Sequence, residues 1–75
     1  MTLFGYTGNF NWIDTSNVTD MSDLFDDISN FNGHIELWDV SNVTNMSWMF
    51  YGADSFNQPI GDWDVSNVTN MYGMF

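Results

Sequence analysis

The sequence has no cysteine, lysine or arginine, and only one proline and one histidine in 75 residues. Without cysteine there is no disulfide framework and no thiolate metal site, and the redox compartment stays undetermined. Nine Asp and one Glu give a formal net charge of −10 at pH 7. We expect nucleic-acid phosphates and anionic lipid headgroups to be repelled, which excludes nucleic acid as a partner.

Long apolar runs are also missing from the chain. No stretch approaches the roughly 20 apolar residues that span a bilayer, so we expect no membrane insertion. Apolar residues nevertheless make up 44% of the sequence and aromatic residues 19%. This content is higher than that of a disordered acidic tail, and it predicts a folded domain in spite of the charge.

The chain consists instead of a 25-residue phrase that occurs three times. The tetrapeptide Ser-Asn-Val-Thr begins at Ser16, Ser41 and Ser66. Segments 38–50 and 63–75 agree at 11 of 13 positions, and segment 13–25 agrees with 38–50 at 8 of 13. A fixed period of about 20 to 50 residues is typical of repeat architectures. We expect one domain, 1–75, made of three copies: 1–25, 26–50 and 51–75.

Each copy is expected to contain one very short strand and one short helix. Met46, Met49, Phe50 and Ala53 have the spacing of a single helical stripe. Segment 38–40 alternates apolar and polar residues, as a half-buried strand does. Because so short a strand needs the same segment of the next copy beside it, the pattern predicts an α/β solenoid of three stacked coils.

The apolar positions of the pattern define a candidate core. Similar side chains at these positions in successive copies would stack on one another, with Met filling irregular gaps. The set predicted to point inward is Phe31, Ile35, Trp38, Val40, Val43, Met46, Met49 and Phe50 in the second copy, and the equivalent Phe56, Ile60, Trp63, Val65, Val68, Met71, Met74 and Phe75 in the third.

The string Trp-Asp-Val-Ser-Asn-Val-Thr-Asn-Met-x-x-Met-Phe starting at Trp38, continued by Ala53, 56–60 and Trp63, resembles the BspA-type surface-protein repeat, also described from mycoplasma lipoproteins. The resemblance covers the whole chain. It implies a right-handed solenoid of the leucine-rich-repeat kind, a cell-surface or extracellular location, adhesion to host or matrix proteins, and no enzymatic activity. The first copy departs from the pattern at Ile13, Thr15 and Leu24.

One Asp per copy occupies the outward position of the proposed strand: Asp14, Asp39 and Asp64. Parallel stacking would place the three carboxylates about 5 Å apart, where Ca²⁺ could bind to their oxygen atoms. The alternative is that each Asp accepts hydrogen bonds from the backbone of its own Ser-Asn turn. We expect no cofactor, with Ca²⁺ as the one that the pattern would allow.

The repeat also places one Asn-Val-Thr sequon in each copy, at Asn17, Asn42 and Asn67. A turn needs such an Asn once per copy for structural reasons, without any glycan. The single histidine, His34, has no cysteine or serine partner at a spacing typical of nucleophilic catalysis. Three stacked carboxylates without a pocket do not form an acid–base pair either. We expect that the protein is not an enzyme.

Four aromatic side chains lie outside the predicted inward set: Trp12, Trp48, Tyr51 and Tyr72. Exposed aromatic patches often mark contacts with another protein chain. The alternative is that these rings cover gaps between adjacent copies.

The two ends of the chain are in phase with one another, since Met1 begins at the repeat position of Tyr51. We expect chains to stack head to tail into a fibre or adhesive filament, because an uncapped, heterologous contact does not close on itself. The alternative is a fragment of a longer adhesin that binds host or matrix protein through one face. The predicted end-to-end contact residues are Met1, Leu3, Phe4, Met74 and Phe75.

Overall fold

The computed structural model describes residues 7–75, and the backbone there consists almost entirely of turns and bends. One 3-10 helix, Ile60–Asp62, is the single regular element of this range. Residues 7–75 contain no α-helix and no extended strand. The only strand-like pairs among them are three isolated parallel bridges, Asn9 with His34, Asp20 with Asn45, and Asn45 with Asn70.

The predicted α/β solenoid, right-handed and of the leucine-rich-repeat kind, is therefore wrong. The described residues form a small compact globule with no sheet and no α-helix; its extents are 29 × 25 × 19 Å. The predicted strand at 38–40 makes no bridge. Residues 38–40 instead lie between two tight turns. In the first turn the Trp38 N–H donates to Ile35 O at 3.0 Å, and in the second the Val43 N–H donates to Val40 O at 3.0 Å.

The predicted helix from Met46 is interrupted by residues in the left-handed region. Trp48 has φ of 60° and Gly52 has φ of 74°, and a right-handed helix cannot pass through such positions. Single turns remain, such as the Met49 N–H on Met46 O at 3.2 Å. The Phe50 N–H, which a helix would use internally, donates to Met74 O at 2.8 Å. The apolar spacing is thus produced by successive turns rather than by a helix.

Backbone hydrogen bonds join equivalent segments of successive copies. The Thr44 N–H donates to Thr19 O and the Thr69 N–H to Thr44 O, both at 2.8 Å. The Met21 N–H donates to Asn45 O at 2.9 Å, and further bonds of this kind follow towards the end of each copy. Equivalent segments within residues 7–75 consequently lie side by side, offset by 24 to 26 residues along the chain.

The core is centred on the second copy, and buried residues of the other two copies complete it: Phe10, Met21, Phe25, Trp63 and Met74. All eight positions predicted to point inward in the second copy are buried, with exposures between 0% and 9%, so the prediction is confirmed for that copy. In the third copy only Trp63 and Met74 are buried, and the prediction is wrong for Met71 and Phe75, which are 44% and 75% exposed. Phenylalanine rings stack through the core, with Phe25 on Phe31 at 3.8 Å between centroids and Phe50 on Phe56 at 4.3 Å. Trp38 also donates its indole N–H to Phe10 O at 2.8 Å, which ties the ring to the first copy.

Candidate interaction surfaces

The three aspartates of the predicted calcium site each cap a local turn. The Ser41 N–H donates to Asp39 Oδ1 at 3.0 Å, and the Ser41 hydroxyl donates to the same oxygen at 2.6 Å. Asp14 and Asp64 accept the N–H of the serine two residues later at 3.0 and 3.1 Å. The geometry is that of the turn-capping alternative.

These local bonds also set the charge state of the aspartates. The Ser41 hydroxyl and backbone N–H lower the pKa of Asp39, while the neighbouring carboxylates of Asp14 and Asp64 act weakly in the opposite direction. Among residues 7–75 no group of three or more His, Cys, Asp or Glu side chains has an arrangement that could hold a metal ion. The calcium site stays a prediction without such a cluster to support it.

His34 pairs with an acidic side chain of its own copy. Its Nδ1 lies 3.1 Å from Glu36 Oε1, and the Asn11 amide donates to the same oxygen at 3.1 Å. Burial raises the pKa of Glu36. Hydrogen bonds from its own backbone, from Asn11 and from His34 lower the pKa, and together they outweigh burial, so the pKa lies below its ordinary value. No pocket opens beside this pair or elsewhere along the described part of the chain. That the protein is not an enzyme stays a prediction.

Three of the four predicted contact aromatics meet in one cluster. The ring centroid of Trp48 lies 5.1 Å from that of Tyr51 and 5.2 Å from that of Tyr72, and both tyrosines stand edge-on to the indole. Tyr51 is 47% exposed and Tyr72 is 72% exposed. Trp12 is 68% exposed. We call Trp48, Tyr51 and Tyr72 the aromatic cluster.

Trp48 occupies a backbone position that sequence reasoning missed. Its φ of 60° matches the φ of 60° at Asp23 and of 64° at Gly73, the equivalent residues of the other copies. A bulky residue at positive φ is a strained outlier. The indole covers Gly73 so closely that a Cβ there would lie 2.6 Å from the ring. Glycine in the third copy was the available signal for the left-handed turn.

The third copy presents an apolar face that the second copy does not. Met71 is 44% exposed and Phe75 is 75% exposed, whereas their equivalents Met46 and Phe50 are 0% and 2% exposed. The difference arises because the third copy covers the second, as shown by Phe75 stacking on Phe50 at 5.4 Å. Of the predicted end-to-end residues, Met74 is 9% exposed. The predicted contact residues at the N-terminal end, Met1, Leu3 and Phe4, lie outside the described residues.

These observations define a class of protein: a small acidic domain whose sequence repeats and whose described residues form local turns, joined by backbone hydrogen bonds between equivalent segments. The chain belongs to the family described as Mycoplasma protein of unknown function, DUF285, whose family model matches residues 3–75. The mycoplasma association of the sequence resemblance is thereby supported. No curated protein and no solved structure matches the chain. Residues 7–75 include no helix of the length and apolarity needed to cross a membrane.

Proposed function

We propose that this chain is a non-catalytic structural protein of the cell surface, and that separate chains associate end to end into an extended fibre or adhesive filament. The observation that carries the proposal is the apolar face of the third copy, centred on Met71 and Phe75. The resemblance to BspA-type surface proteins, within a mycoplasma family, supports an extracellular or cell-surface location.

The energetics favour covering this face. Full burial of a Phe or Met side chain stabilises by about 1.5–3 kcal/mol relative to exposure. Met71 and Phe75 are largely exposed in the single chain, so contact with a second chain would bury further apolar surface. Ten acidic residues without a single Lys or Arg oppose the association of two chains. The balance depends on ionic strength, because salt shortens the screening length from about 30 Å at 0.01 M to about 3 Å at 1 M.

Light scattering and negative-stain electron microscopy of the 75-residue chain test the proposal. We expect the mean mass to rise with protein concentration, to rise further from about 0.01 M to about 1 M salt, and to be accompanied by elongated particles. A monomer at micromolar protein under both salt conditions would refute it.

The aromatic cluster favours a second candidate function, in which the chain is part of a longer adhesin that binds host or matrix protein through this side. A strained backbone position costs about 1–3 kcal/mol, and Trp48 holds one where the other copies have Asp23 and Gly73. All three copies share this conformation, and Asp and Gly adopt it more readily than a bulky residue does, so it is the choice of Trp at this position that supports a contact role. Trp12, which is also exposed, belongs to the same predicted contact set.

Binding to immobilised collagen and fibronectin tests this second function. Trp48→Gly keeps the left-handed turn, since Gly73 has the same conformation in the third copy, and it removes the central ring of the cluster. We expect the variant to lose binding while it keeps the fold and the self-association of the unaltered chain. Equal binding by both chains would exclude the cluster as the contact.

A further inference from the structure

The two outer edges of the described repeats carry complementary backbone groups. We infer that association joins residues 66–75 of one chain to residues 16–25 of the next, in the register by which copies already pair within the chain. This inference rests on the proposed function and specifies its partner surface. We call residues 66–75 the C-terminal edge and residues 16–25 the N-terminal edge.

The C-terminal edge has three N–H groups without a partner among the described residues, at alternate positions 71, 73 and 75. In the second copy, the equivalent N–H groups of Met46, Trp48 and Phe50 donate to carbonyls of the third copy at 2.8, 2.9 and 2.8 Å. The C-terminal edge therefore presents the donors that the second copy uses for pairing.

The N-terminal edge supplies the matching acceptors. The carbonyls of Asp20, Ser22 and Leu24 accept no hydrogen bond from any described residue. In the second copy, the equivalent carbonyls at 45, 47 and 49 accept N–H groups of the first copy at 2.9, 3.0 and 2.9 Å. Three acceptors of one chain thus have the same spacing as three donors of the next.

A return set of bonds has the opposite polarity. Within the chain, the Thr N–H of each later copy donates to the Thr carbonyl of the copy before it, and the Asn amides of the second and third copies donate to Ser16 O at 2.8 Å and Ser41 O at 2.7 Å. Ser66 O and Thr69 O accept no such bond among the described residues. Thr19 N–H and the amide of Asn17 are the donors that would reach them from the next chain.

Side chains at the two edges agree with this pairing. Met71 and Phe75 are exposed on the C-terminal edge, and Leu24 is 43% exposed on the N-terminal edge. Asp20 occupies the same repeat position as Asn45 and Asn70. Within the chain, parallel bridges join Asp20 to Asn45 and Asn45 to Asn70. In the inferred register Asp20 of the next chain lies beside Asn70, so this position brings no two carboxylates together.

Two blocked variants test the register. Phe75→Asp places a carboxylate on the C-terminal edge, and Leu24→Asp places one on the N-terminal edge; both side chains are exposed, so the fold should tolerate either change. Leu37→Asp adds the same charge at a side chain that is 76% exposed and belongs to neither edge. Met71→Asp repeats the C-terminal block at a second position. Near-ultraviolet circular dichroism establishes that each variant is folded.

The masses are measured by light scattering at about 1 M salt, where screening is strongest. We expect Phe75→Asp and Leu24→Asp to be monomeric when separate and to form a particle of twice the monomer mass when mixed in equal amounts. The reason is that the mixture contains one intact edge of each kind. Leu37→Asp should polymerise like the unaltered chain.

The possible outcomes separate this inference from the proposed function. A dimer of Leu24→Asp alone would mean that like edges join, and a mixture that stays monomeric would mean that another surface carries the contact. Either result, with an unaltered chain that polymerises, overturns the inference alone. An unaltered chain that stays monomeric overturns the proposed function as well.

Discussion

Valine occupies the same repeat position in all three copies, and the structure gives the three side chains different surroundings. Val43 is 0% exposed, whereas Val18 and Val68 are only partly buried at the margin of the core. The backbone is alike at the three sites, since each valine N–H donates to the carbonyl three residues earlier at 3.0 Å. A Val→Ala exchange therefore changes the side chain alone.

The expected loss of stability follows from burial. Val43→Ala removes two buried methyl groups, which costs about 1.6 kcal/mol at about 0.8 kcal/mol for each group. The cavity left in a packed core brings the total to about 2–3 kcal/mol. Val18→Ala and Val68→Ala should each cost about 1 kcal/mol or less, because water already reaches part of these side chains.

Chemical denaturation followed by near-ultraviolet circular dichroism measures the three free energies of unfolding. The protein should be kept at low concentration and low salt, with light scattering used to establish that it is monomeric, because association makes apparent stability depend on concentration. Three equal losses, or a larger loss at Val68 than at Val43, would refute the claim that the second copy forms the centre of the core.

Three further predictions concern the turns. Asn42→Ala should lower the free energy of unfolding by about 1 kcal/mol, because its amide donates to a carbonyl of the first copy at 2.8 Å; Asn17→Ala, whose amide has no partner among the described residues, should leave the monomer unchanged in the same denaturation assay. Trp48→Gly should be more stable than Trp48→Ala by about 1 kcal/mol, since alanine is strained at positive φ; equal stabilities would contradict the left-handed turn. Ser41→Ala should raise the pKa of Asp39 in a carboxyl-carbon NMR titration, because it removes the hydroxyl that lowers it. The lowered pKa means that this turn stabilises the fold above the ordinary pKa of an aspartate and loses that effect as pH falls through the pKa of the folded state; an unchanged pKa would contradict the assignment.

The candidate contacts were only partly predictable. The exposure of Tyr51 and Tyr72 follows from their place outside the inward set, but their contact with Trp48 depends on the left-handed turn that tilts the indole over Gly73. Serine two residues after Asp39 is the sequence signal for the turn-capping role. The backbone groups of the two edges that have no partner among residues 7–75 have no such signal, since every residue carries an N–H and a carbonyl whatever its side chain.

The sequence by itself determined the repeat period, the absence of any compensating positive charge, and the positions of the second copy that are buried. These properties are local or additive, because an apolar side chain seeks the interior whether a helix or a series of turns places it there. Only the tertiary structure decided the backbone conformation. The Phe50 N–H finds its partner at Met74, far along the chain, so that neither helical spacing nor propensity near Phe50 specifies the bond.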